Sequence, residues 1–318
     1  MSYKEDPFTF QGANKNDNYF EGWYFKHVSS DLKNIISIIP GISKGRDSHG
    51  FIQVIISYSN YGKIILNTYY NRFSLESFSC SNNPFVLKIG NNIFNKEGIK
   101  LDFENEEILI KGKMEFSKFT PINRNLFSPN AMGFFAYFPF MECNHDIVSM
   151  NHRIKGLITI NNKSYDFNNG KGYIEKDWGT SFPKEYIWLQ SNHFGDRKAS
   201  IMFSLAHIPF LGASFQGFIC YLTFDGEEHR FATYNNSRVA KVNYSEDLLD
   251  IHVTKGAYKL IIKAKVSHDS GNLKAPINGD MSNMIKEGLC GSVHIILLKD
   301  SITIFEDTGN PCAIEIHK

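Results

Sequence analysis

What this chain does not contain sets the first limits. Charge of one sign is not in excess: 34 basic residues face 33 acidic ones, leaving a net charge of +1. A nucleic-acid partner would need a basic face, so no nucleic acid is expected. No block of about five or six like charges occurs, which excludes a charged interaction tail. Cysteine is sparse. Cys80, Cys143, Cys220, Cys290 and Cys312 are far apart, odd in number and form no Cys-x-x-Cys pair, so free thiols in a reducing compartment are expected rather than a disulfide framework. The polar opening MSYKEDPFTFQGANKND lacks an apolar signal core, and the expectation is a cytoplasmic protein. Long apolar runs are missing too. The longest, residues 131–141 (AMGFFAYFPFM), contains Pro139 and falls short of the roughly 18 residues of a membrane helix. Gly170-Lys171-Gly172 opens no strand–glycine–helix unit, and no Gly-x-Ser-x-Gly is present. Nucleotide use and serine hydrolysis are thus disfavoured, and no cofactor is expected. His145 and His152 follow neither His-x-His nor His-Glu-x-x-His spacing, so no metal centre is expected.

What is present is alternation. Ile99, Leu101 and Phe103 oppose Lys100, Asp102 and Glu104. Ile108, Ile110, Met114 and Phe116 oppose Lys111, Lys113 and Glu115, and Tyr258 to Val266 repeats the pattern. Period two marks half-buried antiparallel strands. Residues 51–58, 63–70, 214–224 and 292–298 are further β-rich runs. Asn60-Tyr61-Gly62, Asn161-Asn162, Asn168-Asn169-Gly170 and Asp225-Gly226 are turn signals between such runs. A short helix is expected only near Met281 to Glu287. Many short strands without crossover helices make the chain all-β, a sandwich or a barrel. Aromatics, 14% of the chain with 27 Phe and 15 Tyr, suit strands and also line apolar pockets. A faint repeat runs through the chain. Glu21 to His27 resembles Glu185 to Gln190, and residues 156–175 resemble residues 291–316, each ending in a strand with Ile-Glu or Glu-Ile. The expectation is two related tandem β-domains, residues 1–180 and 181–318.

Candidate chemistry gathers at the junction, in GYIEKDWG (172–179). In an extended chain Glu175 and Asp177 share a face and Lys176 takes the other. Two carboxylates together raise one pKa and make a general acid; the plainer reading is a solvated turn with both ionised. Glu21 sits among Tyr19, Phe20, Trp23 and Tyr24, either as an exposed strand residue or as a desolvated functional one. His145, His152 and His193 surround the junction, with His27 and His49 upstream, and His152 is the acid/base candidate. Residues 131–141 read as a core strand or as a greasy mouth that admits a lipid-like ligand or touches a membrane surface. Pro139 argues against the strand.

NYFEGWYFKH (18–27), VSMNHRIKG (148–156), KGYIEKDWGTSFPKEYIWLQSNHF (171–194) and the tail APINGDMS…VHI…FEDTG…AIEI together resemble the tocopherol cyclase-like proteins over nearly the whole chain. The resemblance implies two lipocalin-like β-domains, akin to carotenoid 1,2-hydratases, and an intramolecular lyase acting on a prenylated, water-insoluble substrate. Cyclisation needs a neutral acid to protonate a trisubstituted alkene, after which a phenol oxygen traps the tertiary cation. Asp177 or Glu175 would be that acid. Trp178, Trp23 and Tyr24 would face the cation, and His152 would take the phenolic proton. Glu21, Trp188, His145 and His193 complete the expected substrate site. A wet pocket would hydrate the same double bond. A hydrophobic-ligand carrier without chemistry is the remaining expectation, with peripheral membrane contact in either case.

Overall fold

The computed structural model describes residues 6–60, 62–139, 141–210 and 213–318. Its strands form two antiparallel sheets. The first holds β1 (Tyr19–Val28), β2 (Asn34–Lys44), β3 (His49–Asn60), β4 (Lys63–Phe73), β5 (Phe78–Asn82), β6 (Phe85–Ile89), β7 (Asn92–Asn95), β8 (Gly98–Glu104), β9 (Leu109–Phe116), β10 (Cys143–Ile160), β11 (Lys163–Asp166) and β12 (Gly170–Gly179). The second holds β13 (Tyr186–Ser191), β14 (Ser200–Phe210), β15 (Ala213–Phe224), β16 (Glu227–Ala232), β17 (Arg238–Ser245), β18 (Leu248–Lys255), β19 (Tyr258–Lys265), β20 (Gly271–Ile277), β21 (Asp280–Lys299) and β22 (Ile302–His317).

The two sheets repeat one strand order. In the first the path runs β4-β3-β2-β1-β12-β10-β9-β8-β7-β6-β5; in the second it runs β16-β15-β14-β13-β22-β21-β19-β18-β17. Each begins as a four-strand meander, and the last strand of each returns beside its first. The two edge strands of the first sheet, β4 and β5, are consecutive in the chain, as are β16 and β17 of the second. Among the described residues no ladder joins either pair. Each sheet therefore leaves its edges open and is not a closed barrel.

Three apolar cores follow from this plan. Trp23, Phe25, Ile38, Val54, Phe94 and Ile110 belong to the core of the first sheet. Leu189, Phe203, Leu222, Ile251, Ile262 and Ile295 belong to that of the second. A third lies between the sheets and includes Tyr24, Ile147, Tyr173, Tyr186, Trp188 and Ile285. The central strands β1, β12, β13 and β22 thus lie between two cores. Burial in β1 is nearly continuous, as expected of a strand covered on both faces, and neighbours such as Tyr24 and Phe25 serve different cores.

The alternating segments form the strands expected of them: Ile99, Leu101 and Phe103 are the buried residues of β8. Asn161-Asn162 and Asp225-Gly226 turn with positive φ at both residues, the geometry that joins twisted antiparallel strands. Tyr61, in the expected turn at residues 60–62, lies outside the described residues. The helix expected at Met281 to Glu287 is instead the first part of β21. Asn278-Gly279, with φ of 49° and 81°, makes a tight hairpin from β20, and the ladder Leu273↔Ile285 holds the segment extended. Residues 131–141 are not a core strand. Gly133–Tyr137 is a single 3-10 segment, consistent with Pro139 breaking any ladder, and Phe140 lies outside the described residues.

The hairpin tip ties the second sheet to the first. The Gly279 amide donates to the Thr180 carbonyl over 2.7 Å, and the Ser43 hydroxyl donates to the Gly279 carbonyl over 2.6 Å. A Cβ at Gly279 would sit 2.4 Å from the Tyr19 amide nitrogen, at φ +81°. Gly279→Ala is expected to cost about 1–3 kcal/mol from backbone strain alone, read as a lower urea midpoint.

Candidate active site

A large cavity opens where the sheets meet. It has about 1460 Å³ of free space, its open mouth included, and both sheets line it. Strand alternation decides which residues reach it. On β12, Glu175 and Asp177 point to the cavity while Lys176 and Trp178 point away. On β1, Gly22 and Tyr24 line it while Trp23 belongs to the first core. From the second sheet come Tyr186, Trp188 and Glu315. Phe20, Phe51, Phe182 and Phe218 make much of the wall apolar.

The polar centre is a chain of contacts. Asp177 Oδ1 lies 2.9 Å from His145 Nδ1, and His145 Nε2 lies 3.7 Å from Glu175 Oε2. Glu175 Oε2 accepts the Tyr173 hydroxyl over 2.5 Å and Trp188 Nε1–H over 3.2 Å. Burial opposes charge on His145, but Asp177 and Glu175 outweigh it and hold the imidazole up at about 9. Burial lifts the Glu175 carboxyl to about 7, against the pull of His145. Tyr173 and Trp188 occupy the two lone pairs of Oε2. Oε1 receives no hydrogen bond from the described residues, so it is the oxygen left to carry a proton when Glu175 is neutral. His145, Glu175 and Asp177 also offer three ligand atoms within 4.8 Å of one another, a donor set for a divalent cation. Asp177 is bonded to His145 Nδ1, whereas His145 Nε2, 3.7 Å from Glu175, has no hydrogen-bond partner among the described residues.

Two carboxyls not singled out from the sequence complete the centre. Glu287 and Glu315 are register partners on β21 and β22, so their side chains share a face. Tyr186 donates to Glu315 Oε2 over 2.6 Å, and the Tyr24 hydroxyl donates to Glu287 Oε1. Burial raises both to about 8, and Glu315 adds to the rise at Glu287. A signal for Glu315 lay in the repeat, whose two copies end in Ile174-Glu175 and Glu315-Ile316.

Other expected site residues lie elsewhere. His152 is not at the cavity. Its register with β12 is shifted by irregularities in β10, and its ring packs on Phe116 and Phe119 at 4.9 and 5.0 Å. Burial lowers its pKa to about 3. Its ring leans over Gly172, where a Cβ would meet Nε2 at 2.3 Å. His27 neighbours it with ring centroids 6.2 Å apart. His193 is buried away from the cavity, and burial lowers it to about 2. His49 bonds the Asp47 carbonyl and the Tyr70 hydroxyl. Glu21 is fully buried, but in an ion pair with Lys176 at 2.6 Å. Tyr19 and the Gln11 amide also donate to it. Lys176 lies over the rings of Trp23 and Trp178 at 5.2 and 4.6 Å. Glu21, Trp23 and Trp178 thus brace the far face of the site strands. Tyr24, Trp188 and His145 do line the cavity. Met132 and Phe135 of the greasy segment join them there, and Phe134 and Tyr137 are exposed. Among the described residues no helix is long and apolar enough to cross a membrane.

The buried acids set a pH dependence of stability. Glu175, Glu287 and Glu315 are raised from 4.5. In that range the folded state binds more protons, so their contribution is full below pH 4.5 and fades through pH 7–8. His145, raised from 6.5 to about 9, has the same sign, its contribution full below 6.5 and lost through 9. Neutral His152 and His193 oppose this only below pH 6.5. Stability is expected to fall from pH 6.5 to 8, and Glu315→Gln should flatten the slope. Urea midpoints across that range measure it; a flat or rising curve for the native chain would refute neutral carboxyls.

Comparison with known proteins adds a family. The model described as tocopherol cyclase-like matches residues 118–317. A chloroplastic tocopherol cyclase of Zea mays is 23% identical over 232 residues, 59% of this chain and 49% of that protein. The chain thus spans about half the length of that relative. Among solved structures, CghA with Sch210972 superposes with a TM-score of 0.58 at 7% identity, over 94% of this chain and 88% of that one. Kievitone hydratase from Nectria haematococca superposes with a TM-score of 0.52 at 9% identity, over 99% and 97%. At such identities the likeness is one of fold.

Proposed function

The chain belongs to the tocopherol cyclase-like family, and from that premise we propose that it is an enzyme that protonates an isoprenoid double bond and closes a ring on the resulting cation. The substrate is a prenylated hydroquinone or a related lipophilic phenol. The observation that carries this reading is Glu175: a buried carboxyl on the wall of a largely apolar cavity, held through Oε2 by Tyr173 and Trp188, with burial lifting it to about 7.

Each neighbour has a part. Glu175 delivers its proton to the less substituted alkene carbon. His145, cationic between Asp177 and Glu175, stabilises the carboxylate that remains; Asp177 orients His145 through Nδ1. Tyr24 and Trp188, with ring centroids 5.5 Å apart in an edge-to-face pair, present electron-rich faces to the tertiary cation. Trp188 uses its ring edge on Glu175, which leaves its face for the cation. The apolar wall keeps water from competing with the phenol oxygen.

The test is isotopic. The purified protein is incubated with a short-chain prenylated hydroquinone in D₂O containing ¹⁸O. The expected product is a cyclic ether with one carbon-bound deuterium and no ¹⁸O. A tertiary alcohol carrying ¹⁸O would make the protein a hydratase. Tight binding without any label would make it a carrier.

A further inference from the structure

We propose that Glu315, backed by Glu287, is the proton acceptor of this cavity: it takes the hydroxyl proton of the substrate as the new carbon–oxygen bond forms. The inference rests on the reading above and names a second reacting group for it. Three observations carry it.

The first is placement. The repeated strand order sets β12 beside β1 and β22 beside β13. Glu175 pairs in register with Tyr24, and Glu315 with Trp188. The sheets thus bring carboxyls to the same cavity from opposite walls, Glu175 and Asp177 from the first and Glu315 from the second. An acid and an acceptor on different walls suit an addition in which one carbon gains a proton while an oxygen loses one.

The second is the pair itself. Glu287 and Glu315 are register partners across β21 and β22, Glu287 fully buried and Glu315 half-buried on the cavity wall. Two carboxylates so placed repel, so ionising one holds the proton on the other. Both are lifted to about 8, and the singly ionised pair, which grows as pH rises toward 8, is the form that accepts. Tyr24 on Glu287 and Tyr186 on Glu315 each donate a hydrogen bond that supports the anion.

The third is the countercharge. Lys26 is buried on β1, bonded to the Gln190 carbonyl and side-chain oxygen at 3.1 and 2.8 Å, and lies in the field of Glu287. Glu175 and Asp177 on β12 are the facing carboxyls that resist a second negative charge on Glu315.

The step balances. The alkene π pair takes the proton of Glu175. The phenol oxygen bonds the cation and its O–H bond breaks, the proton passing to the carboxylate of the pair. No net proton is gained, and its return to Glu175 resets the site.

Two measurements test this, both with a prenylated hydroquinone. In binding, a chain-saturated analogue that cannot cyclise is compared with its methyl ether. Masking the hydroxyl is expected to weaken binding about tenfold in the native chain and to change nothing in Glu315→Met. In turnover, Glu315→Gln is expected to slow ring closure by about 10²-fold or more. Deuterium should still enter the alkene carbon from D₂O, whereas Glu175→Gln should lose both. Equal ether penalties in native and Glu315→Met proteins, or native ring closure in Glu315→Gln, would overturn the acceptor while leaving the Glu175 reading standing. Failure of the native chain to bind the hydroquinone would overturn both.

Discussion

Glu175→Gln is expected to lower turnover of a prenylated hydroquinone by about 10²–10⁴-fold, the range a general acid contributes, with binding of a non-reactive analogue unchanged. The substitution is nearly isosteric. Tyr173 and Trp188 donate to Glu175 Oε2 at 2.5 and 3.2 Å, and an amide oxygen accepts both. The cavity keeps its shape and its two π faces. What disappears is a proton that can leave, because an amide has none of comparable acidity. Asp177→Asn should act more weakly. It removes the carboxylate 2.9 Å from His145 Nδ1 and with it part of the support for the imidazolium, but the proton on Glu175 stays. Turnover measured by mass spectrometry beside equilibrium binding separates the two. If Asp177→Asn were silent in binding and dead in turnover while Glu175→Gln stayed active, the acid would have to be moved to Asp177.

The second large effect concerns stability. Lys176→Met is expected to cost about 3–5 kcal/mol, the penalty for leaving one partner of a buried pair uncompensated. Lys176 and Glu21 are both almost wholly buried, 2.6 Å apart. Without the ammonium, Glu21 keeps, among the described residues, the Tyr19 hydroxyl and the Gln11 amide as hydrogen-bond donors. A loss of that size is a large part of the stability of an ordinary domain, about 5–15 kcal/mol. The urea midpoint should drop steeply. Removing both charges, in Glu21→Gln with Lys176→Met, should recover most of the loss, since the charge left alone is the costly element. A double variant as unstable as the single one would show that the stems and rings around Lys176, rather than its charge, hold the strands.

The sequence made some of this legible for plain physical reasons. Ile99, Leu101 and Phe103 announce a strand because only one face of β8 is buried. Asp225-Gly226 announces a hairpin because both residues accept positive φ. The junction segment stood out because charge and aromatics crowd there, and the pairing of Glu175 with Asp177 on one face follows from alternation alone. The same alternation puts Trp178 with Lys176 and Trp23 opposite Tyr24. Trp178 and Trp23 were assigned to the cation by the mechanism that the resemblance implies, whereas the pleat sends them to the other face. Between two cores, apolar content no longer tells inside from outside, so β1 and β12 gave no face preference. His152 misled because its odd spacing from His145 puts it on the opposite face of β10, against Gly172 rather than with Asp177. The segment expected as a helix at Met281 to Glu287 is the start of β21. Asn278-Gly279 just before it was the stronger local sign. Glu315 sat in the repeat, and its meaning depended on knowing that the two copies face one another.

The account turns on a neutral Glu175 in the cavity, and difference infrared spectroscopy examines that group directly. The native spectrum minus that of Glu175→Gln, recorded from pH 5 to 9, should show a protonated-carboxyl stretch at low pH that gives way to carboxylate bands around pH 7. Carboxylate bands already complete at pH 5, with no protonated stretch to lose, would contradict it.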